Sequence, residues 1–151
     1  VYMLLRLEEI PESMPSHPAL PPTLAQRPPK VIALSILVDA GSYLVGLGRY
    51  AEAIPILSKA VEIDSSDADA IRELAIAYAE LGRMTEALFQ FTNLISVRPN
   101  SFEGYLGCGD CLLQVGQVRE AISMYRKAHE LAPENPAVMR RWTELRRIGI
   151  V

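Results

Sequence analysis

From Leu34 onward, apolar residues recur three and four positions apart, the spacing that gathers side chains on one face of a helix. Ile71, Leu74, Ala75 and Tyr78 share such a face, and Met84, Ala87, Phe91, Leu94 and Val97 form the next. Tyr105, Cys108, Gly109 and Leu112 repeat the first stripe, and Val118, Ala121, Tyr125, Ala128 and Leu131 repeat the second. Gly48, Gly82 and Gly116 interrupt the stripes at intervals of 34 residues. A glycine tolerates the left-handed conformation that ends a helix, so each interruption predicts a turn. The triplets Glu52-Ala53-Ile54, Glu86-Ala87-Leu88 and Glu120-Ala121-Ile122 keep the same register, as do Leu57, Phe91 and Tyr125, and Ile63, Val97 and Leu131. Ser65, Pro99 and Pro133 close the units. The pattern predicts three helix pairs, at about 34–67, 68–101 and 102–135, in an all-α chain. Small residues at Gly109 and Ala121 should let the helices of the third pair approach closely. Phe91 and Tyr125 are expected to fill the space between neighbouring pairs. Pro55 falls early in its helix, where its missing donor is expected to cost little.

The flanks differ from the repeat. Residues 136–148 predict one more helix, with Met139, Trp142 and Leu145 on its apolar side and Arg140, Arg141, Arg146 and Arg147 making it basic. A stack of repeats needs a terminal element with one polar face, and this helix suits that role. Residues 1–29 carry Pro11, Pro15, Pro18, Pro21, Pro22, Pro28 and Pro29, which forbid a continuous helix and predict an extended arm. The domain proper is therefore expected over 30–151. The start at Val1 reads either as a fragment or as Met3 being a natural start preceded by two extraneous residues, and the apolar run in 1–10 is too short for a signal peptide. The arm's Ala19-Leu20-Pro21-Pro22-Thr23-Leu24 suits docking in a groove of its own chain or of a neighbour, which would give a homodimer. Val31 to Gly48 approaches the length and apolarity of a membrane span. Its one charge, Asp39, would cost roughly 2.5–3.5 kcal/mol at a bilayer centre, and the repeat accounts for the same residues, so membrane association is not expected.

Composition narrows the chemistry. The chain has 151 residues, half of them apolar, which is enough for a packed core. A net charge of −3 argues against nucleic acid, and the basic side of residues 136–148 is expected to be a solvated cap. Cys108 and Cys111 form a C-x-x-C, but within a helix that spacing holds Cβ atoms ~5–6 Å apart, and a disulfide wants ~3.8 Å. Packing is the expected role, with a thiol-redox module as the alternative. The histidines, His17 and His129, are too few for a zinc site or a Ser-His-Asp constellation, and His129 is expected to be solvated. No phosphate loop is present, so neither metal, cofactor nor catalysis is expected. Two cysteines without a disulfide framework fit a reducing, cytoplasmic setting.

At the repeated residues the chain resembles the tetratricopeptide repeat, a 34-residue helix-turn-helix unit. Tyr105, Gly109, Ala121, Tyr125, Ala128 and Pro133 carry the likeness in the third unit, and Leu74, Tyr78, Ala87, Phe91 and Pro99 in the second. The first matches through Gly41, Tyr50, Ala53 and Ala60 and lacks the closing proline. The resemblance implies a right-handed superhelical stack whose first helices line a concave groove. By that resemblance the groove residues are Val38, Ser42, Arg72, Ile76, Glu80, Leu106, Asp110, Leu113, Gln114 and Arg140. It implies a protein-interaction scaffold or chaperone-like adaptor that binds a peptide segment of a partner protein. A narrower variant is a small secretion-type chaperone, and a membrane-tethered assembly subunit is the alternative. Family members that clamp a terminal carboxylate do so with Lys and Asn on the first unit. Here Val38 and Ser42 stand there, so that clamp is not expected.

Overall fold

The computed structural model describes residues 27–151, and the arm's proposed docking lies outside them. Among the described residues, seven helices follow one another: α1 Pro29–Gly46, α2 Tyr50–Ile63, α3 Ala68–Glu80, α4 Met84–Val97, α5 Phe102–Gln114, α6 Val118–Leu131 and α7 Pro136–Arg147. Helix α1 starts at Pro29, one residue before the expected boundary, because a proline in the first turn forfeits no intrahelical bond.

The turns explain the glycine period. Gly48, Gly82 and Gly116 adopt φ of +73°, +75° and +84°. Each allows the residue after it to donate back into the helix just ended: Arg49 to the Leu44 carbonyl, Arg83 to Tyr78 and Gln117 to Leu112. Gly149 does the same at the end of α7, where Ile150 donates to Leu145. The recurring Glu of the second helices has a local cause too. Glu52 and Glu86 lie in the first turns of α2 and α4, where an anion is favoured, and pair with Arg49 and Arg83. At the pair junctions, Asp67 caps α3 by accepting from the Ala70 amide at 2.8 Å, and Asn135 caps α7 through Ala137 and Val138. Pro55 is the sixth residue of α2, past the first turn, so its missing donor does cost a helical bond. That bond would have gone to Ala51, which is exposed and so open to water.

Three apolar clusters run along the stack. Ala53, Leu57 and Leu74 join the first pair to α3. Ile71, Ala75, Ala87, Phe91, Leu94, Cys108 and Cys111 join the second pair to α5. Leu112, Ala121, Tyr125 and Leu145 join the third pair to α7. Glycines set the spacing. The α1 surface at Gly41 rests on Leu57, and Gly107 of α5 receives the Phe91 ring from the preceding pair. Phe91 therefore fills the space between pairs, as expected. Tyr125 does the same towards α7, clustering with Leu145, while its ring also lies on Gly109 of its own pair. Helix α7 buries Val138 and Leu145, while Met139, expected on that side, is 49% exposed. His129 is half-buried rather than free in solvent. Its ring stacks on Trp142 with centroids 4.5 Å apart, tying α6 to α7.

Helix α1 is the exception to the packing. It is 18 residues long with a mean hydropathy of 1.3, enough by length and composition to cross a membrane. One side packs on α2 and α3. The other leaves Ile36 61% and Tyr43 68% exposed. The residues 34 positions on, Ala70 and Ala77, are wholly buried because α2 precedes α3. No described helix occupies the equivalent place before α1.

Candidate groove on the first helices

Helices α1, α3 and α5 touch in series, so the first helices of the pairs form one side of the stack. That side holds a cavity of about 720 Å³. Ile76, Leu106, Met84, Phe91, Phe102 and Cys111 supply its apolar surface, and Arg72, Glu80, Glu103, Asp110, Gln114, Asn135 and Arg141 its polar groups. A concave site with an apolar floor and a few convergent polar groups is the arrangement that ligand sites share.

Of the ten groove residues read from the sequence, Arg72, Ile76, Glu80, Leu106, Asp110 and Gln114 line this cavity together. Val38 and Ser42 belong to α1 and do not line it. Leu113 follows Leu112 on α5 and is 44% exposed away from the cavity wall. Arg140 lines a separate depression on α7 with Met139 and Arg147. Its neighbour Arg141 takes the inner place instead. The one-residue difference traces to α7, whose buried side is set by Val138 and Leu145. Arg141 follows Val138 by three positions and so shares its side of the helix.

Arg141 completes a network that sequence reading missed. The Tyr125 hydroxyl donates to Asp110 Oδ1 at 2.6 Å, and Arg141 Nε donates to the same oxygen at 2.8 Å. One carboxylate thereby joins α5, α6 and α7. Burial, then the bond to Asp110, pushes the Tyr125 hydroxyl well above the ordinary tyrosine range. The same carboxylate holds the Arg141 guanidinium in its charged form. At the other end, Arg72 lies 3.1 Å from Asp69 and 3.2 Å from Glu73. Both arginines of the cavity are thus matched by carboxylates of the chain itself. No single-residue pattern could have revealed Tyr125 with Arg141, because they meet only once α6 and α7 are packed.

The two cysteines have no geometry for exchange chemistry. Both are buried in the α3–α5 core as free thiols. Burial pushes Cys108 up, and pushes Cys111 up to about 11, so neither favours the thiolate that exchange requires. Thr92 Oγ1 lies 3.9 Å from the Cys108 sulfur, a packing neighbour with no base beside it.

Tetratricopeptide-repeat family models match residues 44–105 and 102–135. The chain belongs to the tetratricopeptide repeat family. Repeats of this family are interaction modules that bind peptides and proteins. Among curated proteins, anaphase-promoting complex subunit 7 of Homo sapiens is 28% identical over 87 residues, 58% of this chain and 15% of that protein. BBSome complex member BBS4 of Bos taurus is 27% identical over 93 residues, 62% of this chain and 18% of that protein. The chain thus spans less than a fifth of the curated relatives it matches. Among solved structures, the first repeat domain of Spaghetti (RPAP3) bound to the HSP90 peptide SRMEEVD superposes with a TM-score of 0.71 at 20% identity, covering 77% of this chain and 92% of that one. YrrB, described as a repeat protein with an unusual peptide-binding site, gives 0.69 at 24% identity, covering 73% and 57%. At these identities the likeness establishes the fold alone.

Proposed function

We propose that this tetratricopeptide-repeat chain is a scaffold or chaperone-like adaptor that holds a peptide segment of a partner protein in the groove of α3, α5 and α7. The observation that carries this is the 720 Å³ cavity, with its apolar floor on Ile76, Leu106 and Phe91 and polar groups around it. Solved neighbours whose descriptions name bound peptides support the reading. Recognition is by shape and a few polar contacts, so binding turns nothing over. Burying one apolar anchor of leucine size on that floor contributes roughly 1.5–3 kcal/mol. The buried, reduced thiols support a reducing compartment such as the cytoplasm.

The segment is not an acidic chain terminus. A carboxylate clamp needs cations free to receive it, and Arg72 and Arg141 are both occupied by carboxylates of this chain. The membrane-tethered alternative draws on the length and apolarity of α1. The seat of Gly41 on Leu57 supports α1 as the first helix of the first repeat instead.

The test is to carry a charge onto the floor. Ile76→Glu and Leu106→Glu, each at a half-buried position, should weaken a captured peptide at least tenfold, with the helical circular dichroism signal unchanged. Unchanged affinity in both folded variants would place the peptide elsewhere.

A further inference from the structure

The charges of the groove point to the chemistry of its occupant, given that the groove binds peptide at all. Both arginines lining the cavity are spent: Arg72 on Asp69 and Glu73, Arg141 on Asp110 and Glu144. Two further carboxylates line the same cavity, Glu80 and Glu103. Neither has an ion-pair partner among the described residues, and Glu103 accepts only the Ser101 hydroxyl, at 2.6 Å. The lining therefore presents net negative charge to whatever enters.

The helices add to it. Glu80 is the last residue of α3, and Gln114 the last of α5, and both line the cavity. A helix C-terminus carries roughly half a negative charge, which proteins commonly offset with a lysine or arginine in the last turn. Neither α3 nor α5 has a basic residue there. α7 does, with Arg146 and Arg147. The cavity end formed by α3 and α5 thus combines two helix C-termini that hold no basic residue in their last turns with the exposed carboxylate of Glu80. Beside it lie Ile76 and Met84. Arg83, just past α3, lies over Tyr78 and pairs with Glu86 outside the cavity lining.

We propose that the groove selects a segment bearing a lysine or arginine next to an apolar anchor, with the anchor on Ile76 and Leu106 and the cation on Glu80. The cation meets the Glu80 carboxylate at the negative ends of α3 and α5. An acidic segment would meet Glu80 and Glu103 as like charges and is rejected on that ground. The site is partly open to water, so the ion pair sharpens selection while the anchor supplies most of the affinity.

The experiment pans a random twelve-residue peptide library on the full chain, with counter-selection on its Ile76→Glu variant. The retained peptides should be enriched in Lys or Arg within a few positions of Leu, Ile or Phe. A fluorescein-labelled retained peptide is then measured by anisotropy against its Lys→Glu reversal. Glu80→Gln should weaken the original peptide about two- to fivefold, and the reversal, which adds repulsion to that loss, should weaken binding more than this. Glu80→Lys should recover the reversed peptide. Glu80 is exposed, so these variants keep the fold. Groove-dependent peptides enriched in Asp or Glu, or an affinity indifferent to Glu80→Gln, would overturn the cation preference while leaving peptide binding standing. If counter-selection on the folded Ile76→Glu variant leaves no peptide, or no retained peptide loses affinity on the folded Leu106→Glu variant, peptide binding in the groove itself fails.

Discussion

Gly109→Ala probes the contact on which the groove network rests. A Cβ at Gly109 would lie 2.6 Å from Tyr125 Cε1, 2.8 Å from Cδ1 and 3.1 Å from Cζ. Ordinary carbon contacts begin near 3.5 Å, so the ring would have to retreat by close to ~1 Å. It has little room, because Tyr125 is 2% exposed. Its hydroxyl is also held by Asp110 at 2.6 Å, so retreat strains or breaks that bond. Overpacking of this kind costs about 1–3 kcal/mol, and loss of the bond to a half-exposed carboxylate about 1 more. Alanine returns about 1 kcal/mol of helix propensity, because Gly109 is interior to α5. The expected net is a destabilisation of about 2 kcal/mol, a fall of roughly 6–10 °C in Tm for a domain of this size. Urea unfolding followed by circular dichroism measures it. Tyr125→Leu should relieve the clash, so the double variant should be less destabilised than the sum of the singles by about 1 kcal/mol. Gly46→Ala is the control, since a Cβ there meets nothing within 4 Å, and it should be neutral or mildly stabilising. A Gly109→Ala chain as stable as its parent, or strict additivity with Tyr125→Leu, would refute the reasoning.

Alkaline pH should unfold the chain through its buried thiol. Cys111 has a folded pKa near 11, above its unfolded value, so the stability it contributes is complete below about pH 9 and is lost as pH rises towards 11. Stability should fall by about 2 kcal/mol across that window, and Cys111→Ala should flatten the slope there. Tyr125, also raised, extends the loss to higher pH, and Tyr125→Phe should remove that part while costing about 1 kcal/mol at neutral pH. In the native state neither cysteine should react with an aromatic disulfide reagent at neutral pH, and rapid modification of either would contradict their burial. Ile36→Ser and Tyr43→Ser should each cost under about 0.5 kcal/mol, because those side chains face outward. Losses above 1.5 kcal/mol would mean that something covers that face of α1.

The stack was legible because its physics is local. Glycines at a period of 34 residues, each followed by an apolar second helix, specify turn and packing face without knowledge of the neighbours. Six of the proposed groove residues meet in one cavity for the same reason: position along α3 or α5 decides which way a side chain points. What the sequence hid depends on meetings between helices. Tyr125 packs towards α7 as the pattern implied, but Gly109, read only as a close-approach residue, also makes the slot for its ring. Arg141 was overlooked in favour of Arg140 because α7 is basic on several sides. Only its docking through Val138, Leu145 and the His129–Trp142 stack fixes its rotation. The bare side of α1 was hidden for the opposite reason. Its apolar residues gave no sign of which would find a partner, and only comparison with Ala70 and Ala77 shows that Ile36 and Tyr43 stand where a preceding helix would pack.

Peptide binding in the groove is tested most directly by chemical-shift mapping of the isotope-labelled chain with a peptide retained in the library selection. The account predicts shifts concentrated on Arg72, Ile76, Glu80, Leu106, Asp110, Gln114 and Arg141, abolished in Leu106→Glu. Shifts centred instead on the outer face around Phe89, or on the bare side of α1, with the groove silent, would contradict it.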